Sequence, residues 1–144
     1  MSKGMSPADP SDSEIRELLS KYKTIAVVGC SRNPGKDAHR IPSYMNQHGY
    51  RIIPVNPFAE EILGEKSYGS LLDIPEEVRV KFVNIFRPSR DVPPIVNQAI
   101  ERGSEVIWMQ LGIQNEEAAS EARMAGLVVV QNRCLTIEHQ RLLT

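Results

Sequence analysis

The stretch Thr24-Ile25-Ala26-Val27-Val28-Gly29-Cys30-Ser31-Arg32-Asn33-Pro34-Gly35-Lys36 decides the fold. Its first five residues are apolar or β-branched without alternation, the pattern of a strand buried on both faces of a parallel sheet. Gly29 and the polar residues behind it break that strand into a loop. Beyond the loop, Ile41, Tyr44, Met45 and His48 recur at i, i+3, i+4 and i+7, which predicts an amphipathic helix stopped by Gly49. Pro42 falls inside that pattern, and an interior proline loses a hydrogen bond, so a kink or a late start is expected.

Working outward, Arg51–Val55 reads as a second strand, ended by Asn56-Pro57. A loop with a short strand near residues 66–68 and a turn at Asp73-Ile74-Pro75 follows. Strands are then predicted at residues 80–86, 105–109 and 127–130, and helices at 92–102, 115–125 and 135–143, two of them closed by Gly103 and Gly126. Upstream, Ser11-Asp12-Ser13-Glu14 has capping-box spacing before Ile15, Leu18 and Leu19. Strands alternating with helices imply βαβ units with right-handed crossovers. The expected fold is therefore α/β, a Rossmann-like doubly wound parallel sheet in three αβα layers.

A length of 144 residues suits one domain, assigned to residues 13–144, with residues 1–12, rich in Ser, Pro and Asp, as a flexible tail. The composition, 41% hydrophobic and 24% charged, is that of a globular protein, and no apolar run reaches the roughly 20 residues of a membrane span. No signal peptide is evident, and two cysteines make no disulfide framework, so a cytoplasmic setting is expected. A net charge of -1 with interspersed signs gives no global field for nucleic acid or membrane. Any anion site must be local.

In such sheets ligands sit outside the carboxyl ends of the strands, beside the first one. After that strand Gly29 allows a tight turn, Ser31 and the following amides can donate to phosphate oxygens, and Lys36 adds charge near a helix N-terminus. The spacing lacks the second and third glycines of the dinucleotide fingerprint, so a plain connecting turn is the alternative. At the second strand tip Asn56-Pro57 stands where an NAD-binding fold usually carries an acid for the ribose; Glu60 and Glu61 come later. NAD is the less favoured ligand. Arg32, Lys36, Arg87, Arg90 and Arg133 all fall after predicted strands, which suggests a cationic rim for more than one phosphate.

The ordered series Ile25 to Pro34 with Lys36, Gly49 to Pro57, Glu61-Ile62-Leu63-Gly64, Phe86-Arg87-Pro88-Ser89, Trp108 to Ile113 and Asn132-Arg133-Cys134 resembles the stand-alone CoA-binding proteins. These are similar to the CoA-binding domain of succinyl-CoA synthetase α subunits, and the resemblance covers roughly residues 13–142. It implies coenzyme A or an acyl-CoA as cofactor. It also implies that Gly29, Cys30, Ser31, Arg32, Asn33 and Lys36 meet the phosphates. Around the nucleotide it sets Asn56 and Pro57, Phe86 and Arg87, and Gln110, Leu111 and Gly112, with Arg40 a further candidate. A lysine of the synthetase loop after the second strand falls here at Phe58-Ala59, so that part of CoA must be recognised differently.

The synthetases use a phosphorylated histidine in a second domain, and no matching motif surrounds His39, His48 or His139. Cys134 and His139 lie five residues apart, on different faces of a helix, and too few ligands accompany them for a metal. Cys30, near a helix N-terminus, is activated there unless buried. Trp108 reads as core, with stacking on a ligand as the alternative. The resemblance, with no catalytic set among these residues, thus implies a CoA-binding module without catalysis of its own. An NAD(P)-binding regulator or oxidoreductase and the CoA-binding subunit of a multi-subunit acyl-CoA synthetase or transferase are the alternatives. The expected partner besides the cofactor is a second copy of the chain or a partner enzyme subunit.

Overall fold

A computed structural model describes residues 9–144. The expected tail lies mostly outside these residues, but its last members are structured. Ser11 accepts from the Glu14 amide (3.2 Å), and the Glu14 carboxylate accepts from the Ser11 amide (2.9 Å). This reciprocal cap starts helix α1 at Asp12–Lys21, which buries Ile15, Leu18 and Leu19.

Five parallel strands form the sheet: β1 (Thr24–Val28), β2 (Arg51–Val55), β5 (Phe82–Ile85), β6 (Val106–Met109) and β7 (Val128–Val130), in the order β2-β1-β5-β6-β7. Between β2 and β5 a small hairpin pairs β3 (Glu61–Ile62) with β4 (Glu65–Lys66). The connections carry α2 (Asp37–Gln47), α3 (Val92–Glu101), α4 (Glu116–Met124) and the closing α5 (Leu135–Leu143). This is the expected Rossmann-like three-layer fold. Alternate residues feed two cores. Ala26, Val28, Val83, Ile85, Ile107 and Met109 pack beneath α3 and α4. Ile25, Val27, Phe82, Val106 and Trp108 pack beneath α1, α2 and α5.

Some local expectations need correction. The short strand expected at 66–68 is instead the β3–β4 hairpin, whose turn places Leu63 (φ 54°) and Gly64 (φ 76°) in the left-handed region that two-residue hairpins require. Tyr68 forms only a single parallel bridge to Val55. The strand expected at 80–86 is shorter, Phe82–Ile85; the Lys81 carbonyl before it accepts from the Val106 amide (2.9 Å), the first bond of the β5–β6 ladder, and from the Glu105 amide (2.8 Å).

Pro42 does not delay its helix. α2 starts at Asp37 and continues through the proline. The carbonyl four residues before a proline loses its intrahelical partner. Here that carbonyl belongs to Ala38, and it accepts from the Ser31 amide (3.0 Å). The proline's missing donor thus leaves an acceptor that ties the loop after β1 onto the helix.

The register pairs Val28 with both Val55 and Ile85, so β1, β2 and β5 end at one level. β1 is followed by a crossover to β2 on one side and is flanked by β5 on the other. The crevice between the diverging connections opens at that level.

Candidate functional site

A cleft of about 690 Å³ lies above these strand tips, lined by Gly29, Cys30, Ser31, Lys36, Asn56, Pro57, Phe58, Phe86 and Arg87 among others. Its floor depends on Gly29. The residue has φ 86°, and a Cβ there would stand 2.9 Å from the Phe86 carbonyl oxygen and 3.2 Å from the Arg87 side chain. Only glycine lets the ends of β1 and β5 approach this closely.

The loop from 29 to 36 holds itself in shape. The Ser31 hydroxyl accepts from the Asn33 amide (3.0 Å), and the Asn33 side chain accepts from the Gly35 amide (2.9 Å). The Lys36 amide donates to the Asn33 carbonyl (3.0 Å). These bonds occupy several amides that could otherwise have met a phosphate. The amides of Cys30 and Arg32, and those of Asp37 and Ala38 at the start of α2, have no acceptor among the described residues. They are unpaired donors beside a positive helix end.

Asn56 joins two walls of the cleft. Its Nδ2 donates to the Cys30 carbonyl (2.9 Å), and its Oδ1 accepts from the Phe58 amide (2.8 Å). One side chain therefore fixes the glycine loop and the turn after β2 together. The model of the CoA binding domain family matches residues 23–140. The chain belongs to that family.

Over 131 residues the chain is 38% identical to the protein YneT of Bacillus subtilis, covering 91% of this chain and 96% of that one. A solved structure from Pyrococcus horikoshii superposes with a TM-score of 0.92 at 42% identity, each chain covered in full (100%). An ADP-forming acetate–CoA ligase of Archaeoglobus fulgidus is 39% identical over 92 residues, which are 62% of this chain and 13% of the ligase. The chain thus resembles small stand-alone proteins along their whole length and a small part of much larger ligases. The latter are related to the succinyl-CoA synthetase type of CoA-binding domain.

Within this family fold, the structure sorts the expected residues. Gly29, Cys30, Ser31, Lys36, Asn56, Pro57, Phe86 and Arg87 line the cleft. Cys30 borders the cleft from a fully buried position; burial pushes its thiol up to about 12, against the weaker opposing pull of the Ser31 amide. The helix terminus does not activate it.

Arg32 and Asn33 stand on the loop and Arg40 on the first turn of α2, all outside the lining. Asn33 is engaged in the turn, while Arg40 pairs with Asp37 and donates to the Gly35 carbonyl (2.7 Å), bracing the loop from outside. Gln110, Leu111 and Gly112 are not brought to the cleft, because β6 lies one strand beyond β5. Gln110 is buried and accepts from the Asn84 side chain (3.3 Å) and the Leu135 amide (3.4 Å). The Gly112 amide donates to Asn132 (2.7 Å), and Leu111 is exposed.

The rim of five cations contracts to two. Arg133 pairs with Glu138 (2.9 Å) beside α5, and neither Arg32 nor Arg90 lines the cleft. Arg87 is there but shares its charge with Asp91 (3.0 Å); Lys36 makes no ion pair among the described residues. Trp108 is core, stacked near Phe82 and donating to the Arg133 carbonyl (2.8 Å).

Sequence reasoning missed the far wall: Gly69, Ser70, Pro94, Ile95 and Gln98. The Val55–Tyr68 bridge, with the Asn56 amide donating to the Tyr68 carbonyl (2.8 Å), carries residues 69 and 70 there. The Pro93-Pro94 pair, which opens α3 just after β5, was a readable signal for the rest.

Proposed function

We propose that this cleft binds coenzyme A or an acyl-CoA. The observation that carries the reading is the set of amides at Arg32, Asp37 and Ala38 without an acceptor among the described residues, at or beside the cleft lining, next to Lys36, which makes no ion pair among those residues. Backbone donors at a helix start suit a pyrophosphate, whose charge the dipole favours. In this reading Gly29 and the loop amides hold the pyrophosphate, Lys36 and Arg87 meet further phosphate oxygens, and Phe86 and Pro57 border the nucleotide. Arg32, exposed on the same loop, can reach a phosphate outside the cleft proper.

No chemistry is assigned to the chain alone. Cys30 is held as a thiol, and no nucleophile, base and orienting group converge among the described cleft residues. The likeness to part of the acetate–CoA ligases supports a second reading, in which a partner subunit completes a catalyst. The nicotinamide alternative is weaker, since Asn56 is engaged through both ends of its amide and offers no carboxylate to a ribose. Two buried, unpaired thiols suit a reducing cytoplasm.

Titration calorimetry at fixed moderate salt compares CoA, dephospho-CoA and NAD. CoA is expected to bind best, with dephospho-CoA about tenfold weaker for loss of a charge-assisted contact. Tighter binding of NAD than of CoA would falsify the reading.

A further inference from the structure

Phe58 is the most exposed aromatic of the described residues, with 85% of its surface open, yet it lines the cleft. An isolated exposed apolar side chain is ordinary. This one differs in how it is held. Its amide donates to Asn56 Oδ1 (2.8 Å), the Ala59 amide returns to the Asn56 carbonyl (3.4 Å), and the same Asn56 is fastened to the glycine loop. The ring's backbone is therefore fixed relative to the unpaired amides before any ligand arrives.

Its place in the fold suggests what it meets. When phosphates occupy the loop after β1, the adenosine ribose of a nucleotide reaches the tip of β2. The base then extends past that tip. Phe58 stands three residues beyond Val55, the last residue of β2. An aromatic face in that position is sequence-tolerant for stacking on a purine and needs no hydrogen-bond code.

Resting on the CoA reading of the cleft, we propose that Phe58 is the adenine platform of this protein, a specificity residue that stacks on the base of the bound nucleotide. It does the work of recognition by π-contact, where a basic side chain would act through charge.

Calorimetry on wild type, Phe58→Ala, Phe58→Leu and Phe58→Tyr, each with CoA and with 4′-phosphopantetheine, tests this. Loss of an aromatic stacking partner typically weakens binding by about 5- to 100-fold. That loss is expected for CoA in the Ala and Leu variants, with Tyr retaining affinity and 4′-phosphopantetheine, which has no base, binding all four proteins alike. Melting temperatures should match, because the side chain is exposed. Wild-type protein that fails to bind CoA overturns the reading of the cleft itself. Wild-type binding that Phe58→Leu preserves overturns the platform alone, since an apolar cover would then suffice.

Discussion

Two clefts of similar size lie at opposite ends of the sheet, about 690 Å³ above the strand tips and about 580 Å³ at the other end. The second is lined by Glu76, Glu77, Arg79, Lys81, Glu101 and Arg102, so it is no poorer in charge. Two of its three cations are already engaged: Lys81 donates to the Gly103 carbonyl (3.0 Å) and pairs with Glu105 (3.7 Å), and Arg102 is bound more fully. The Arg102 guanidinium donates to the carbonyls of Leu71 (2.7 Å), Ile74 (2.6 Å), Pro75 (3.1 Å) and Val78 (3.0 Å), fastening the connection that leads into β5. At the first cleft, among the described residues, the unpaired groups are donors: Lys36 and the Ala38 amide on its lining, with the Arg32 and Asp37 amides beside it. Volume does not separate the two ends; strand direction does. In a parallel sheet helices begin at the carboxyl tips, exposing N–H groups, and finish at the opposite end, where carbonyls gather. Arg102, the C-cap of α3, stands at that end, where its guanidinium is taken up by carbonyls of the 71–78 connection.

The sharpest test of that contrast is to cut the closed end. Arg102→Ala leaves four carbonyls without a charged donor and is expected to cost about 2–4 kcal/mol of stability, read from urea unfolding. CoA affinity of the folded protein should not change. A tenfold drop in affinity would mean the two ends are coupled and the contrast is misdrawn.

Gly29→Ala attacks the open end through the backbone. A left-handed alanine costs about 1–2 kcal/mol, and the contact with the Phe86 carbonyl forces a shift besides. Stability should fall by about 2 kcal/mol and CoA binding should be lost. Lys36→Ala, by contrast, should weaken CoA about tenfold while moving stability by less than about 0.5 kcal/mol. If its melting temperature fell and its affinity held, Lys36 would belong with Arg102 among structural cations.

The smallest effect is expected away from both clefts. Burial works against the Glu138 charge, but hydrogen bonds from Arg141 and Arg133 outweigh it and hold the carboxyl below its ordinary range. A carboxylate lowered in the folded state stabilises above its unfolded pKa, and that contribution is lost as pH falls through the folded value. Wild type should therefore be more stable than Glu138→Gln near neutrality, with the two melting curves converging in acid. A gap that widened on acidification would reverse the sign and refute the assignment.

What the sequence determined by itself was everything that depends on neighbours along the chain. The unbroken run Thr24–Val28 marked a doubly buried strand, Ser11 and Glu14 marked a cap, and Gly29 marked a turn no other residue could make. The loop after β1 and the tip of β2 were legible as cleft walls for the same reason. The tertiary structure alone decided which polar groups remained unpaired. Arg133 and Arg40 looked like ligand cations until side-chain geometry gave them to near neighbours, Glu138, Asp37 and the Gly35 carbonyl, and Gln110 looked like rim until the distant Asn84 and Leu135 drew it inward. Residues 69 and 70 joined the site only through a bridge from Val55 to Tyr68. Local patterning sets where a strand ends. Which residues wall the site there depends also on partners distant in sequence, as Gln110 with Asn84 and Tyr68 with Val55 show, and those meet only when the chain has folded.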